Sequence, residues 1–164
     1  MQLLIMDDEA SVVNTLALTV QWEDSGIEEV HTAYSAHDAL KIAARNSIDI
    51  MITDIRMPEM SGLELIEVMR SYSRKTRCII LTGHDEFEYA KKAMSYQTLD
   101  YLLKPIDYAE LIASVQRAVE QIEEEWREVA SFQRIQQTLR ANLPLLRAQL
   151  LNDLLRNKSM APDQ

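Results

Sequence analysis

Five short apolar runs, each followed by a stretch with helical spacing, predict a doubly wound α/β domain on a five-stranded parallel sheet, with a helical extension behind it. The runs occupy residues 3–6, 30–33, 48–53, 78–82 and 100–103. Each is too short for a helix and most are rich in Ile, Leu or Val, so they read as strands. The intervening segments carry helical periodicity, as in Leu63, Ile66, Val68, Met69 and Tyr72. Ser35 with Asp38 three residues on, and Asp107 with Glu110, predict helix N-caps. Parallel strands joined through helices require right-handed crossovers, which cover both faces of the sheet. This domain is expected to fill residues 1–120.

With 164 residues, 47% of them apolar and 26% charged, the chain has room for one ordinary core and an extension. No apolar run approaches the length of a membrane span. Met1-Gln2 leads directly into the first strand without the basic start of a secretory signal, so a cytoplasmic location is expected. Cys78, the single cysteine, lies in the fourth apolar run and reads as core. The net charge of −9 divides into 10 basic and 17 acidic groups over residues 1–106, and 7 and 9 over residues 107–164. Neither part clusters Lys and Arg as a nucleic-acid surface must, so no nucleic acid and no membrane is expected to bind within this chain.

Past Asp107 neither Gly nor Pro occurs until Pro144. The charge-rich residues 123–128 continue a helix longer than a crossover needs, and residues 121–164 read as a helical linker or coiled-coil extension. Pro144 is expected to break that helix, with a second short helix over residues 145–156. Val115, Val119, Ile122, Trp126 and Val129 recur at alternating spacings of four and three, the heptad seam of a coiled coil, which predicts a homodimer. In register the seam next meets Gln133 and Gln136. Phe132, Ile135 and Leu139 extend an apolar stripe only after a shift of three residues. The competing dimer interface is the face of the α/β domain formed by its fourth and fifth helices.

The polar residues at the strand ends carry the chemistry. Asp7 and Asp8 follow the first strand, Asp54 the third, Thr82 ends the fourth and Lys104 follows the fifth, so all five fall at the carboxyl edge where open α/β folds bind ligands. Three converging carboxylates repel one another unless something positive lies among them. A hard divalent cation meets that need, and Mg2+ is commonly held by one or two carboxylates together with the phosphate it serves. An aspartate beside it can attack phosphorus to give an acyl phosphate, while Lys104 and the Thr82 hydroxyl neutralise the transferring oxygens.

Four segments, Met6-Asp7-Asp8-Glu9, Asp54-Ile55-Arg56-Met57-Pro58-Glu59-Met60-Ser61-Gly62, Leu81-Thr82-Gly83-His84 and Asp100-Tyr101-Leu102-Leu103-Lys104-Pro105, resemble the signature blocks of response-regulator receivers of bacterial two-component systems. The resemblance covers residues 2–120 and implies a flavodoxin-like fold. It implies that Asp54 accepts a phosphoryl group from a sensor histidine kinase. Asp8 and Asp54 would bind Mg2+ directly with the Arg56 carbonyl, Asp7 through water, and Lys104 would pair with the phosphate. Thr82 and Tyr101 resemble the family's switch pair, in which the hydroxyl moves onto the phosphate and the ring turns inward. Lys104-Pro105 resembles a cis peptide of the family, and His84 a position that tunes acyl-phosphate lifetime. Gln97 and Thr98 stand where the family has a small pair, which puts the loop before the fifth strand in doubt; Met6 stands where Val is commoner.

His31 and His37 lack metal-ligand spacing and read as surface or packing residues. A phosphatase of the haloacid dehalogenase type would need a second acid two residues after its nucleophile, where this chain has Arg56. The chain is therefore expected to be a phosphoacceptor rather than a turnover enzyme. A docking-only receiver is disfavoured by the intact acids, Thr82 and Lys104. Residues 142–156 resemble the segment that follows the receiver in regulators with an AraC-type helix-turn-helix. A transcriptional output is expected to lie outside this chain, cut off before the DNA-binding domain.

Overall fold

The computed structural model describes residues 1–83, 88 and 100–159. Five parallel strands, β1 (Gln2–Met6), β2 (Glu29–Ala33), β3 (Ile50–Asp54), β4 (Arg77–Thr82) and β5 (Asp100–Leu103), form one sheet in the order β2-β1-β3-β4-β5. Among the described residues the helices are α1 (Ala10–Thr19), α2 (Ala36–Arg45), α3 (Gly62–Tyr72) and α4 (Tyr108–Ser159), with a 3-10 turn at Trp22–Ser25. The predicted fold class is the observed one.

Alternation along the strands divides the interior into two cores, because successive side chains point to opposite faces. Leu3, Ile5, Ile50, Ile52, Ile79 and Leu81 face α1 and the start of α4, with Val13, Leu16, Leu111 and Val115. Leu4, Met6, Met51, Cys78 and Ile80 face α2 and α3, with Ala39, Leu65, Ile66 and Met69. Every residue of β3 is buried, as expected of the central strand of a doubly covered sheet. Cys78 lies in this core, and burial pushes its thiol up to about 12, which leaves it a packing residue.

Local signals set the helix starts. The Ser35 hydroxyl accepts from the Asp38 amide at 3.1 Å, and Asp107 Oδ1 accepts from the Ala109 amide at 2.9 Å. Ser61 and Glu64 form a reciprocal capping box on α3.

Two expectations are corrected. Pro144 does not end the helix, and α4 runs unbroken from Tyr108 to Ser159. A proline removes one amide donor and crowds one preceding carbonyl, so a helix can continue past it at a cost. The heptad seam is also not available over its first half: Val115, Val119 and Ile122 are buried in the core beneath the sheet. Trp126 and Val129 are about half exposed. The chain divides into two compact units, Met1–Ile122 and Glu123–Gln164. Among the described residues no helix is long and apolar enough to cross a membrane.

Gly62 opens α3 against β3, its amide donating to the Ile55 carbonyl at 2.8 Å. A Cβ there would lie 1.9 Å from the Asp54 carbonyl oxygen. Gly62→Ala must therefore push α3 off the end of β3, at an expected cost of about 3 kcal/mol by urea denaturation. A loss below about 1 kcal/mol would mean that the two elements separate freely.

Candidate functional site at the carboxyl edge of the sheet

β1 and β3 are hydrogen-bonded neighbours at the centre of the sheet, and their ends release Asp7, Asp8 and Asp54 side by side. One carboxylate oxygen from each lies within 4.8 Å of the others. Asp7 is buried, with Oδ1 accepting from the Glu9 amide at 2.9 Å. Asp54 is 8% exposed, with Oδ1 accepting from the Ile55 amide at 2.8 Å. Asp8 stands at the exposed rim.

Lys104 reaches the cluster from the end of β5. Its Nζ lies 3.1 Å from Asp7 Oδ2 and 3.2 Å from Asp54 Oδ2. The Lys104-Pro105 peptide is cis, and the Lys104 amide donates to the Thr82 carbonyl at 2.7 Å. The sequence therefore placed Asp7, Asp8, Asp54 and Lys104 together correctly. Thr82 ends β4 in the same layer, but its buried hydroxyl donates to the Gly83 carbonyl at 2.9 Å. The Tyr101 ring is 41% exposed. Arg56 lies on the loop after β3, where it lines a shallow depression with Asp8, Met57, Pro58 and Ser61. Glu59 in that loop has φ of 69°, a left-handed turn residue that no sequence signal marked. His31 Nε2 lies 3.2 Å from Gln2 Oε1, on β2. His84, Gln97 and Thr98 lie outside the described residues.

The electrostatics follow from the crowding. Burial raises the Asp54 carboxyl above the ordinary carboxylate range; Lys104 opposes this and the Asp7 charge adds to it. Partial desolvation, then the hydrogen bond and charge of Asp7, raise Asp8 as well. Burial would lower the Lys104 ammonium, but its hydrogen bond to Asp7 and the charges of Asp54 and Asp7 outweigh this and hold it above the usual value. One ammonium thus faces three carboxylates. The donor set, all hard carboxylate oxygen with one member open to solvent, suits a divalent cation such as Mg2+ that keeps part of its water.

A parallel sheet in 2-1-3-4-5 order, with an acid cluster and a lysine at its carboxyl edge, defines the class as a flavodoxin-like receiver. The chain belongs to the response regulator receiver domain family of two-component systems, whose model matches residues 3–116. It is 36% identical over 121 residues to the uncharacterized transcriptional regulatory protein YesN of Bacillus subtilis, covering 74% of this chain and 33% of YesN. It is 34% identical over 118 residues to the transcriptional regulatory protein HptR of Staphylococcus aureus, covering 72% and 46%. The receiver domain of AraT from Geobacillus stearothermophilus matches with a TM-score of 0.67 at 36% identity, over 74% of this chain and 97% of that one. A two component transcriptional regulator AraC from Clostridium phytofermentans matches with a TM-score of 0.72 at 26% identity, over 76% and 96%. The chain spans between a third and a half of the length of these curated relatives.

The raised Asp54 carboxyl makes a stability prediction. Because the folded state holds that proton more tightly than the unfolded chain, the stability linked to Asp54 is complete below the ordinary carboxylate value of about 3.9 and is lost as pH rises through the folded value. In chelator at pH 7, Asp54→Asn should raise the Tm. The gain should vanish below about pH 3.5. Calorimetric scans across pH check this, and an equal gain at both ends of the range would rule out an electrostatic origin.

Proposed function

We propose that the chain is a phosphorylation-controlled switch in which Asp54 accepts a phosphoryl group from a sensor histidine kinase. The observation that carries this reading is the Asp54 carboxylate, fixed on one oxygen by the Ile55 amide and touched on the other by Lys104, beside two further acids. A carboxylate held in one rotamer within a charged pocket is a positioned nucleophile. An Asp54 oxygen forms a bond to phosphorus as the bond from phosphorus to the donor's imidazole nitrogen breaks, leaving an acyl phosphate and a free imidazole. Lys104 stays paired with the oxygens of the transferred group.

Asp8, Asp54 and the Arg56 carbonyl would hold Mg2+, with Asp7 through water. When bound, the cation neutralises the acids and the incoming phosphate. The Thr82 hydroxyl, now on the Gly83 carbonyl, would turn to the phosphate, and the exposed Tyr101 ring would follow it inward. The two arrangements supply the bistable element a switch requires. The chain is a phosphoacceptor that turns over only its own acyl phosphate. The cytoplasm is where it meets its kinase. A change in dimerisation would carry the state to a DNA-binding output outside this chain, a reading supported by the transcriptional regulators it is similar to.

Incubation with acetyl phosphate and Mg2+ followed by intact mass tests the acceptor. The unsubstituted chain should gain one phosphate and Asp54→Ala none; a persistent gain in the variant would move the acceptor elsewhere.

Asp8→Ala should weaken Mg2+ binding at least tenfold by calorimetry while leaving the fold intact, since it deletes an exposed ligand and relieves crowding. Unchanged affinity would exclude Asp8 from the metal site.

A further inference from the structure

Beyond Val129, seven of the ten exposed large apolar residues of α4 follow a new period, Leu145, Leu151 and Leu155 lying off it. Phe132, Ile135, Leu139, Leu143, Leu146, Leu150 and Leu154 succeed one another at steps of three, four, four, three, four and four. That is an 11-residue repeat, run through twice. Eleven residues in three turns is 3.67 per turn, close to the natural winding of an α-helix, so these side chains keep to one straight line where a heptad would drift round the helix. Each of the seven is between 43% and 63% exposed. Glu124 and Glu128 continue the line backward and Asn157 continues it forward, so polar groups close both ends. Pro144 falls about 130° away from the line at this winding. Its missing amide and its ring therefore sit away from the stripe.

We propose that this stripe is the face on which a second copy of this chain docks. Its exposed side chains amount to roughly 700 Å² of apolar surface, more than a monomer ordinarily leaves contiguous and near the ~800 Å² per partner of a standard interface. The stripe itself carries no charge; beside it Gln136 and Arg147 lie on one flank and Ser131, Asn142 and Asp153 on the other, so the flanks that meet across a two-fold seam carry opposite rather than like charge. The heptad line does not compete: three of its positions are buried in the sheet core and its continuation runs into Gln133 and Gln136. The 11-residue register makes the seam straight to slightly right-handed, unlike a left-handed heptad coil. This interface gives a location to the dimerisation in the reading above and does not depend on its phosphoryl chemistry.

Size-exclusion chromatography with light scattering on the full chain tests it. The expected mass is twice the 18.9 kDa of one chain. Leu139→Glu combined with Leu146→Glu should return it to the single-chain mass, and Gln133→Glu, on the continued heptad line, should leave the dimer intact. Unchanged thermal unfolding of the receiver unit in each variant shows that folding is preserved. A single-chain mass for the unsubstituted protein up to about 100 µM, well above the micromolar limit for such an interface, would overturn the proposal. So would a dimer that survives the double substitution, or one lost with Gln133→Glu alone. Asp54 phosphorylation is read by mass on the same samples, so failure of the interface and failure of the phosphoacceptor are separate results.

Discussion

Three carboxylates and one ammonium at the end of the sheet set the terms for the rest of the domain. Lys104 touches Asp7 and Asp54 at close to 3 Å, yet it can balance only part of their charge, and Asp8 adds to the excess. An arrangement this unfavourable persists only where the backbone leaves the groups no alternative. Each acid is therefore anchored by short-range geometry: Asp7 by the Glu9 amide, Asp54 by the Ile55 amide, and Asp8 by its place beside Asp7. The stored repulsion would be relieved by any cation that entered the site. It also makes the site responsive, because any group that brings or removes negative charge changes the balance for all four residues at once.

The fold supplies that constraint through strand order. In the 2-1-3-4-5 arrangement β1 and β3 are neighbours, although α1, β2 and α2 separate them in the chain. Chain direction reverses its progress across the sheet there, which opens a crevice beyond the strand ends. The two cores lock the register that puts Asp7 and Asp54 into that crevice, since a slip of one residue on β3 would turn Ile50 and Ile52 to the wrong face. Gly62 completes the clamp by letting α3 begin against the Asp54 carbonyl. The same Asp54 thus offers its side chain to the site and its backbone to the packing of α3.

Much of this was legible in the sequence because short apolar runs and strand-end acids are local patterns. The five strands fall within two residues of the runs that announce them, and the joint presence of Asp7, Asp8, Asp54 and Lys104 at run ends marked the site. What escaped depended on contacts that no local pattern encodes. The role of Gly62 is a distance to a carbonyl eight residues earlier, and the Thr82 hydroxyl is turned onto the Gly83 carbonyl, a direction that residue type alone does not fix. Val115, Val119 and Ile122 show the same limit: their spacing suits a partner helix and the flank of a sheet equally well, and only the fold decides for the sheet. Pro144 failed as a stop signal because a proline raises the cost of a helix at one turn without supplying a better structure for the residues around it.

Strand β5 is where the site and the long helix come together. It carries Lys104 at one end and Tyr101 near the other, so a rearrangement around the lysine is felt along only four residues. At its first residue, Asp100 Oδ1 accepts from the Tyr101 amide at 3.0 Å, and Oδ2 accepts from the Ser114 hydroxyl at 2.6 Å and from Arg117. Ser114 is fully buried on α4, and Arg117 donates to its hydroxyl at 2.8 Å as well. The tie is a closed set of three side chains with charge-assisted bonds, stiffer than apolar contact alone. β5 therefore meets its surroundings at two points besides its ladder, the surface through the exposed Tyr101 and α4 through Asp100, within the receiver unit. Among the described residues β5, like β2, is an edge strand held by a single ladder, here to β4, so displacing it would break fewer hydrogen bonds than displacing β1, β3 or β4.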